Sequence, residues 1–176
     1  HAQSEALSMG DRVVVMNSGK VEQISDPFEL YTRPQSAFVA RFIGRNKMIS
    51  GSLREGATPE LAAVETRFGT LTGVPSFAPG AARPGASAFA VVPSEYVDIH
   101  PEDAPPPDRE MDIVIGTLSA MDRVGQVVYV TVDFDEKLQV RLETYRSTIE
   151  GRHIEPGHRV QLRWLPERAS IVLDDS

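Results

Sequence analysis

Downstream of Gly44 the chain gives up helical spacing and breaks into short runs of period two. The clearest lie near its end. Val128, Val130, Val132 and Phe134 alternate with Tyr129, Thr131 and Asp133. After Asp135-Glu136-Lys137 turns the chain, Leu138, Val140 and Leu142 alternate with Gln139 and Arg141. Val160, Leu162 and Trp164 then alternate with Gln161 and Arg163, and Ile171-Val172-Leu173 follows. Alternation of this kind puts one set of side chains on each face of a strand. Several short strands at close spacing, with no helix between them, suggest a small barrel. Met48–Leu53, Val64–Phe68 and Ala88–Val92 are shorter β patterns earlier in the chain. The stretch Pro75–Pro84, rich in Pro, Gly and Ala, reads as a loop. Glu102–Asp108 is acidic and proline-rich, and is expected to be a mobile surface loop or linker, extended where the prolines run. Met48-Ile49-Ser50-Gly51-Ser52-Leu53 echoes Ile113-Val114-Ile115-Gly116-Thr117-Leu118, which suggests two barrel-like halves, each beginning with such a strand.

The first 44 residues follow different rules. Residues 3–9 read as a short helix with Gly10 as its stop. Arg12–Met16 is a β-branched run typical of a buried strand, with Val13–Met16 expected in the core. Asn17-Ser18-Gly19-Lys20 is turn chemistry, and Val21–Ile24 returns as a hairpin partner. Asp26 then caps a helix with Pro27 at its first position and Glu29 where a capping-box carboxylate sits. That helix ends near Arg33-Pro34. Ser36 caps another, in which Phe38/Phe42 and Val39/Ile43 pair one turn apart and Gly44 is the stop.

These residues closely resemble the end of the nucleotide-binding subunit of ABC importers. That family continues past its switch histidine as H-D-Q-x-E-A-L-x-x-x-D-R-I-x-V-M-x-x-G-x-I-x-Q, then x-x-x-P-x-E-I-Y-x-x-P-x-x-x-F-V-A-x-F-I-G and an Asn. Matching positions here are His1, Gln3, Glu5, Ala6, Leu7, Asp11, Arg12, Val15, Met16, Gly19 and Gln23, then Pro27, Glu29, Leu30, Tyr31, Pro34, Phe38, Val39, Ala40, Phe42, Ile43, Gly44 and Asn46. Ala2 stands where the family usually has Asp. The remaining three-quarters is similar to the family's accessory TOBE domain, an OB-like barrel, though more loosely. Phe89-Ala90-Val91-Val92-Pro93-Ser94-Glu95 resembles its strand followed by Arg-Pro-Glu, with Val92 in place of the Arg and Ser94 inserted before Glu95. The subgroup suggested serves polyamine, iron, maltose and related importers.

The resemblance implies a mainly β fold: an OB-like (TOBE) barrel preceded by the last strands and helices of a P-loop ATPase domain. Residues 1–45 are then the remnant of that domain and 46–176 the accessory domain. The expected function is that of a C-terminal regulatory and dimer-contact fragment of an importer ATP-binding subunit. The start at His1, without initiator Met or leader, reads as a cut within a longer enzyme. The expected partners are a second copy and transmembrane permease subunits, at the cytoplasmic, inner face of the plasma membrane. ATP and Mg²⁺ belong to the parent. The fragment is expected to use no cofactor, since no Gly-Lys-Ser/Thr phosphate cradle occurs and Gly19-Lys20 is followed by Val21. His1 is by resemblance the switch histidine, inactive without the phosphate-binding parts.

Composition narrows the alternatives. The net charge is −7 and there is no Cys, so disulfides and thiolate metal sites are excluded and a general nucleic-acid binder is disfavoured. His153 and His158, with Glu155 between them, do not have diagnostic metal spacing, and no metal site is expected. Arg141, Arg159 and Arg163 fall on the non-core phase of the last strands, with Arg152 nearby. If they converge they could hold an oxyanion; otherwise they form a solvated face with Glu143 and Glu155. A free-standing small-ligand (oxyanion) binding OB-like domain is therefore the alternative function. Trp164 is in phase with Val160 and Leu162 and is expected in the core.

Overall fold

A computed structural model describes residues 11–44, 46–78, 80–135 and 138–174. His1 and the helix expected over residues 3–9 lie outside them. The described residues fall into two compact units, one running to Pro93 and resuming at Pro166, the other Ser94–Leu165.

The first unit opens with a ribbon of β1 (Val13–Asn17) and β2 (Lys20–Ser25). Ser18 (φ 48°) and Gly19 (φ 81°) are both left-handed, the backbone that a two-residue turn needs to match the strand twist. Helix α1 (Pro27–Thr32) starts where Asp26 accepts the Glu29 N–H at 2.8 Å. Helix α2 (Ala37–Ile43) starts where the Ser36 hydroxyl accepts the Val39 N–H at 3.2 Å and stops at left-handed Gly44. Phe38 and Phe42 stack, with ring centroids 6.0 Å apart.

The ribbon departs from expectation. Val15 is buried, but Val14 and Met16 are 50% and 55% exposed. Among the described residues only one ribbon face is covered, by Leu30 and Val39 of the helices. Cross-strand partners Val14/Ile24 and Met16/Val21 share the open face, so the Val13–Met16 run is not core throughout. Gln23 on the covered side is buried, yet fully used. Its amide donates to Arg33 O and Ser25 Oγ, each at 3.1 Å, and its carbonyl accepts the Gln35 N–H at 2.8 Å, as a buried polar group requires.

A closed barrel follows, made of β3 (Asn46–Leu53), β4 (Ala62–Thr66), β5 (Gly69–Pro75), β6 (Ser87–Pro93) and, from the far end of the chain, β12 (Ser170–Leu173). Arg67-Phe68 form the β4–β5 turn instead of extending β4, with Thr66 Oγ1 on Gly69 O at 2.7 Å. Helix α2 lies on the outside of β6 and β12, where Ala37 and Ala40 pack on Val91 and Val172.

The second unit holds β7 (Asp98–Pro101), β8 (Asp112–Val124), β9 (Val127–Asp135), β10 (Leu138–Tyr145), helix α3 (Arg146–Ile149) and β11 (Arg159–Trp164). Its sheet order is β10-β9-β8-β11-β7, which repeats β5-β4-β3-β6-β12 of the barrel. Each unit thus ends on a strand lent by the other half of the sequence: β7 follows β6 but pairs with β11, and β12 follows β11 but pairs with β6. The core of this unit includes Val114, Leu118, Val130, Val132, Leu142, Val160 and Leu162, with Trp164 buried among the inward phase as its alternation implied.

Candidate functional site

Strand β11 carries two of the three arginines singled out in the sequence. Val160, Leu162 and Trp164 point to the core, so Arg159, Gln161 and Arg163 share the other face. The register with β7 sets Gln161 beside His100 and Arg163 beside Asp98. These side chains hold the acidic, proline-rich segment. Arg159 pairs with Glu102 at 3.3 Å, and the Gln161 amide donates to Glu102 O at 2.6 Å. Arg163 donates from Nη2 to Pro105 O at 2.9 Å and Ala104 O at 3.3 Å, and from Nε to Gln161 Oε1 at 2.8 Å. Only 4% of Arg163 remains exposed. The segment expected to be a mobile linker is instead fastened along the face of β11, because one strand phase presents three donors to its carbonyls and its acid.

Arg141 sits on β10, with β9 and β8 between it and β11 in the sheet. Its guanidinium lies over the Tyr129 ring at 4.8 Å and 3.8 Å from Asp122. The structure therefore places Arg159 and Arg163 on one face and Arg141 apart from them, and each has its own protein partners.

Next to Arg163 lies a half-buried cluster that no local sequence pattern announces. Arg152 clasps Asp98 through both terminal nitrogens, at 2.7 and 3.3 Å, and also donates to Ile99 O. His100 Nε2 lies 2.8 Å from the same carboxylate. Burial pulls Asp98 upward, but the Arg152 guanidinium, then His100, hold it below its ordinary value. His100 is itself held below the ordinary histidine range, first by burial and then by the cations Arg152 and Arg163, against the upward pull of Asp98. Arg152 and Asp98 are 54 positions apart, a pairing no local pattern can reveal.

His153 and His158 are tied by backbone chemistry: His158 Nδ1 is 3.3 Å from both His153 O and the Glu155 N–H nitrogen. Among the described residues no group of three His, Asp or Glu side chains is placed to hold a metal ion, and no helix is long and apolar enough to cross a membrane.

No protein-family model matches the chain. It is 34% identical over 169 residues to the spermidine/putrescine import ATP-binding protein PotA of Acidothermus cellulolyticus, a match covering 95% of this chain and 42% of that protein. The protein of the same name from Rubrobacter xylanophilus is 31% identical over 169 residues, covering 93% of this chain and 41% of the relative. The chain thus spans about two fifths of the length of these relatives. Among solved structures, the cytoplasmic molybdate-binding protein ModG, with molybdate bound, superposes with a TM-score of 0.57 at 15% identity, over 72% of this chain and 95% of that one. That likeness is one of fold.

Proposed function

Because the chain belongs to the family of ABC importer ATP-binding subunits, whose C-terminal part it matches, we propose that it is the regulatory and dimer-contact portion of such a subunit, one that powers solute uptake. The observation that carries this reading is the 34% identity to an importer ATP-binding protein across 95% of the chain. The OB-like barrel supports the accessory role.

On this reading residues 1–45 end the ATPase domain and 46–176 form the TOBE-type accessory domain. His1 takes the switch position, and ATP with Mg²⁺ is handled by residues that precede it in the longer protein. The barrel's part is mechanical. Ala37 and Ala40 form one buried cluster with Val91 and Val172, and Arg41 reaches both the Phe89 ring and Asp174. A close-packed joint of this kind passes a displacement on instead of absorbing it. Movement of the ATPase end on nucleotide binding would therefore be carried to the accessory domains, through which two subunits meet. The permease subunits bring the assembly to the cytoplasmic face of the membrane. The relatives' names make polyamine-type solutes the first to test.

The experiment begins with the reading frame upstream of His1, where a Gly-rich phosphate cradle ending in Lys-Ser or Lys-Thr is expected. The longer protein is then compared with a version ending at Gly44. The shortened protein should still bind ATP, but should self-associate more weakly and lose the normal restraint on hydrolysis. A frame with no such motif, or two proteins with equal hydrolysis and equal self-association, overturns the reading.

A further inference from the structure

A cavity of about 310 Å³ opens on the second unit, between the end of β8, the start of β9, helix α3 and the loop that leads to β11. That volume lies at the lower end of the range for small-molecule sites, about 300–1,000 Å³. Val128, Ile149 and Ile154 supply its apolar part, and all three are buried. Four charged residues also line it, and they divide into two pairs. Arg146 and Glu150 satisfy each other at 2.8 Å, one helical turn apart. The side chains of Arg123 and Glu155 have no protein partner among the described residues. Arg123 and Glu155 thus line the same space with neither charge matched by a protein group.

The frame of the cavity is fixed. The Arg146 N–H donates to Gln126 O at 2.8 Å, which pins the start of α3 to the β8–β9 turn, and the Gly157 N–H donates to Leu118 O at 2.7 Å. Between them the loop passes through left-handed backbone at Gly151, His153 and Gly157. At His153 (φ 50°) that conformation is one a side-chain-bearing residue adopts at a cost. A glycine there would remove the strain; the residue that stands there, His153, lines the cavity.

We propose that this cavity binds a small zwitterion with an aliphatic body, of the α-amino acid class. Arg123 takes the carboxylate, Glu155 the ammonium, and Val128, Ile149 and Ile154 the hydrocarbon. The two residues carry free charges of opposite sign and line one space, so a ligand carrying both signs leaves neither unmatched, whereas a simple anion or cation leaves one. The inference stands on these residues and is independent of the transport reading.

The test is an amide-resolved NMR titration of the whole chain with L-leucine. Two probes of nearly the same body but one charge, 4-methylpentanoate and 3-methylbutylamine, serve as comparisons. Saturable shifts of the amides around Val128 and from Ile149 to Glu155 are expected with leucine, and binding at least about tenfold weaker with either comparison. Arg123→Gln and Glu155→Gln should each weaken leucine by at least about tenfold. Both residues are exposed, so the variants should keep the wild-type unfolding midpoint. No saturable shift up to about 50 mM leucine, equal binding of the single-charge probes, or unchanged binding by both variants overturns the assignment.

Discussion

Gly51 on β3 and Gly116 on β8 hold corresponding places in the two units, and at each a β-carbon would run into the next strand. At Gly51 it would fall on Glu65 O and 2.5 Å from Val64 Cγ1; at Gly116 it would lie 2.6 Å from Val132 Cγ1 and 2.9 Å from Asp133 O. Neither glycine needs a left-handed backbone. What each supplies is space, where β3 pairs with β4 and β8 with β9. The six-residue echo around them is therefore the trace of one close strand pairing used twice.

Gly51→Ala and Gly116→Ala should each destabilise their own unit by about 1–3 kcal/mol, the usual range for overpacking. Gly51→Ala should cost more, since a paired backbone carbonyl cannot step aside as a Val methyl can. Gly125→Ala is the comparison: nothing lies within 4 Å of its β-carbon position and only its φ of 63° penalises a side chain, at about 1–2 kcal/mol. Urea unfolding followed by circular dichroism checks the order. Trp164, the sole tryptophan, reports the second unit. A Gly51→Ala midpoint at or above the wild-type value would show that the β3–β4 contact is not tight.

Legibility in the sequence followed side-chain size. β9 and β11 show in the sequence because their inward residues are large. β5 was hidden because its inward positions are Leu71 and Gly73, and a β-carbon on the latter would lie 3.0 Å from Ala169 O, so one of its two inward positions carries no apolar side chain to show the alternation. β7 was hidden because four residues with Asp98 and His100 on one phase look like a polar turn until Arg152 pairs with Asp98. The capped helices and the Ser18-Gly19 turn rest on local chemistry and were fully visible. The partners of Arg152, Arg159 and Arg163 lie 50 or more positions away, and no local pattern contains that.

Arg163→Met should release the segment from Glu102 to Pro105. Two carbonyls lose a charged donor in a nearly buried place, at a cost of about 2–4 kcal/mol. The second unit's unfolding midpoint should fall, and trypsin should cut faster after Arg109, which follows the freed segment. Arg163→Lys keeps the charge but not the fork, so it should restore the midpoint only in part. Equal cutting rates in the wild type and Arg163→Met would mean that the segment is held by something other than β11.

Acid should weaken the second unit in two stages. His100 has a folded value below its unfolded one, about 6.5, so its contribution is complete above that pH and is lost as the pH falls through the folded value. Asp98 is likewise held low, so its contribution is complete above about 4 and is lost only in stronger acid. The urea midpoint read from Trp164 should therefore decline below about pH 6.5, and again below about pH 4. His100→Gln should flatten the first decline and leave the second. A midpoint that rises between about pH 7 and pH 5.5 would contradict the sign for His100.

Arg33 joins the end of α1 to the return of the chain into the barrel. Its guanidinium donates to Ala169 O at 3.1 Å, to Ser170 Oγ at 3.5 Å and to Glu167 O, while its own carbonyl accepts from buried Gln23. Ribbon, helix and the last strand thus meet at one residue, more than 130 positions from the carbonyls it binds. Arg33→Ala should cost the first unit about 2–3 kcal/mol, the range for losing charged hydrogen bonds, and should speed hydrogen exchange at Ala169 and Ile171. Gln23→Leu breaks the other half of the joint and takes from Gln35 N–H and Arg33 O their partner at a part-buried place. It should therefore weaken the ribbon and helices while leaving exchange at Ile171 slow. If the two substitutions give the same exchange pattern, the ribbon, helices and β12 unfold as one body, and Arg33 is a packing residue, not the tie between them.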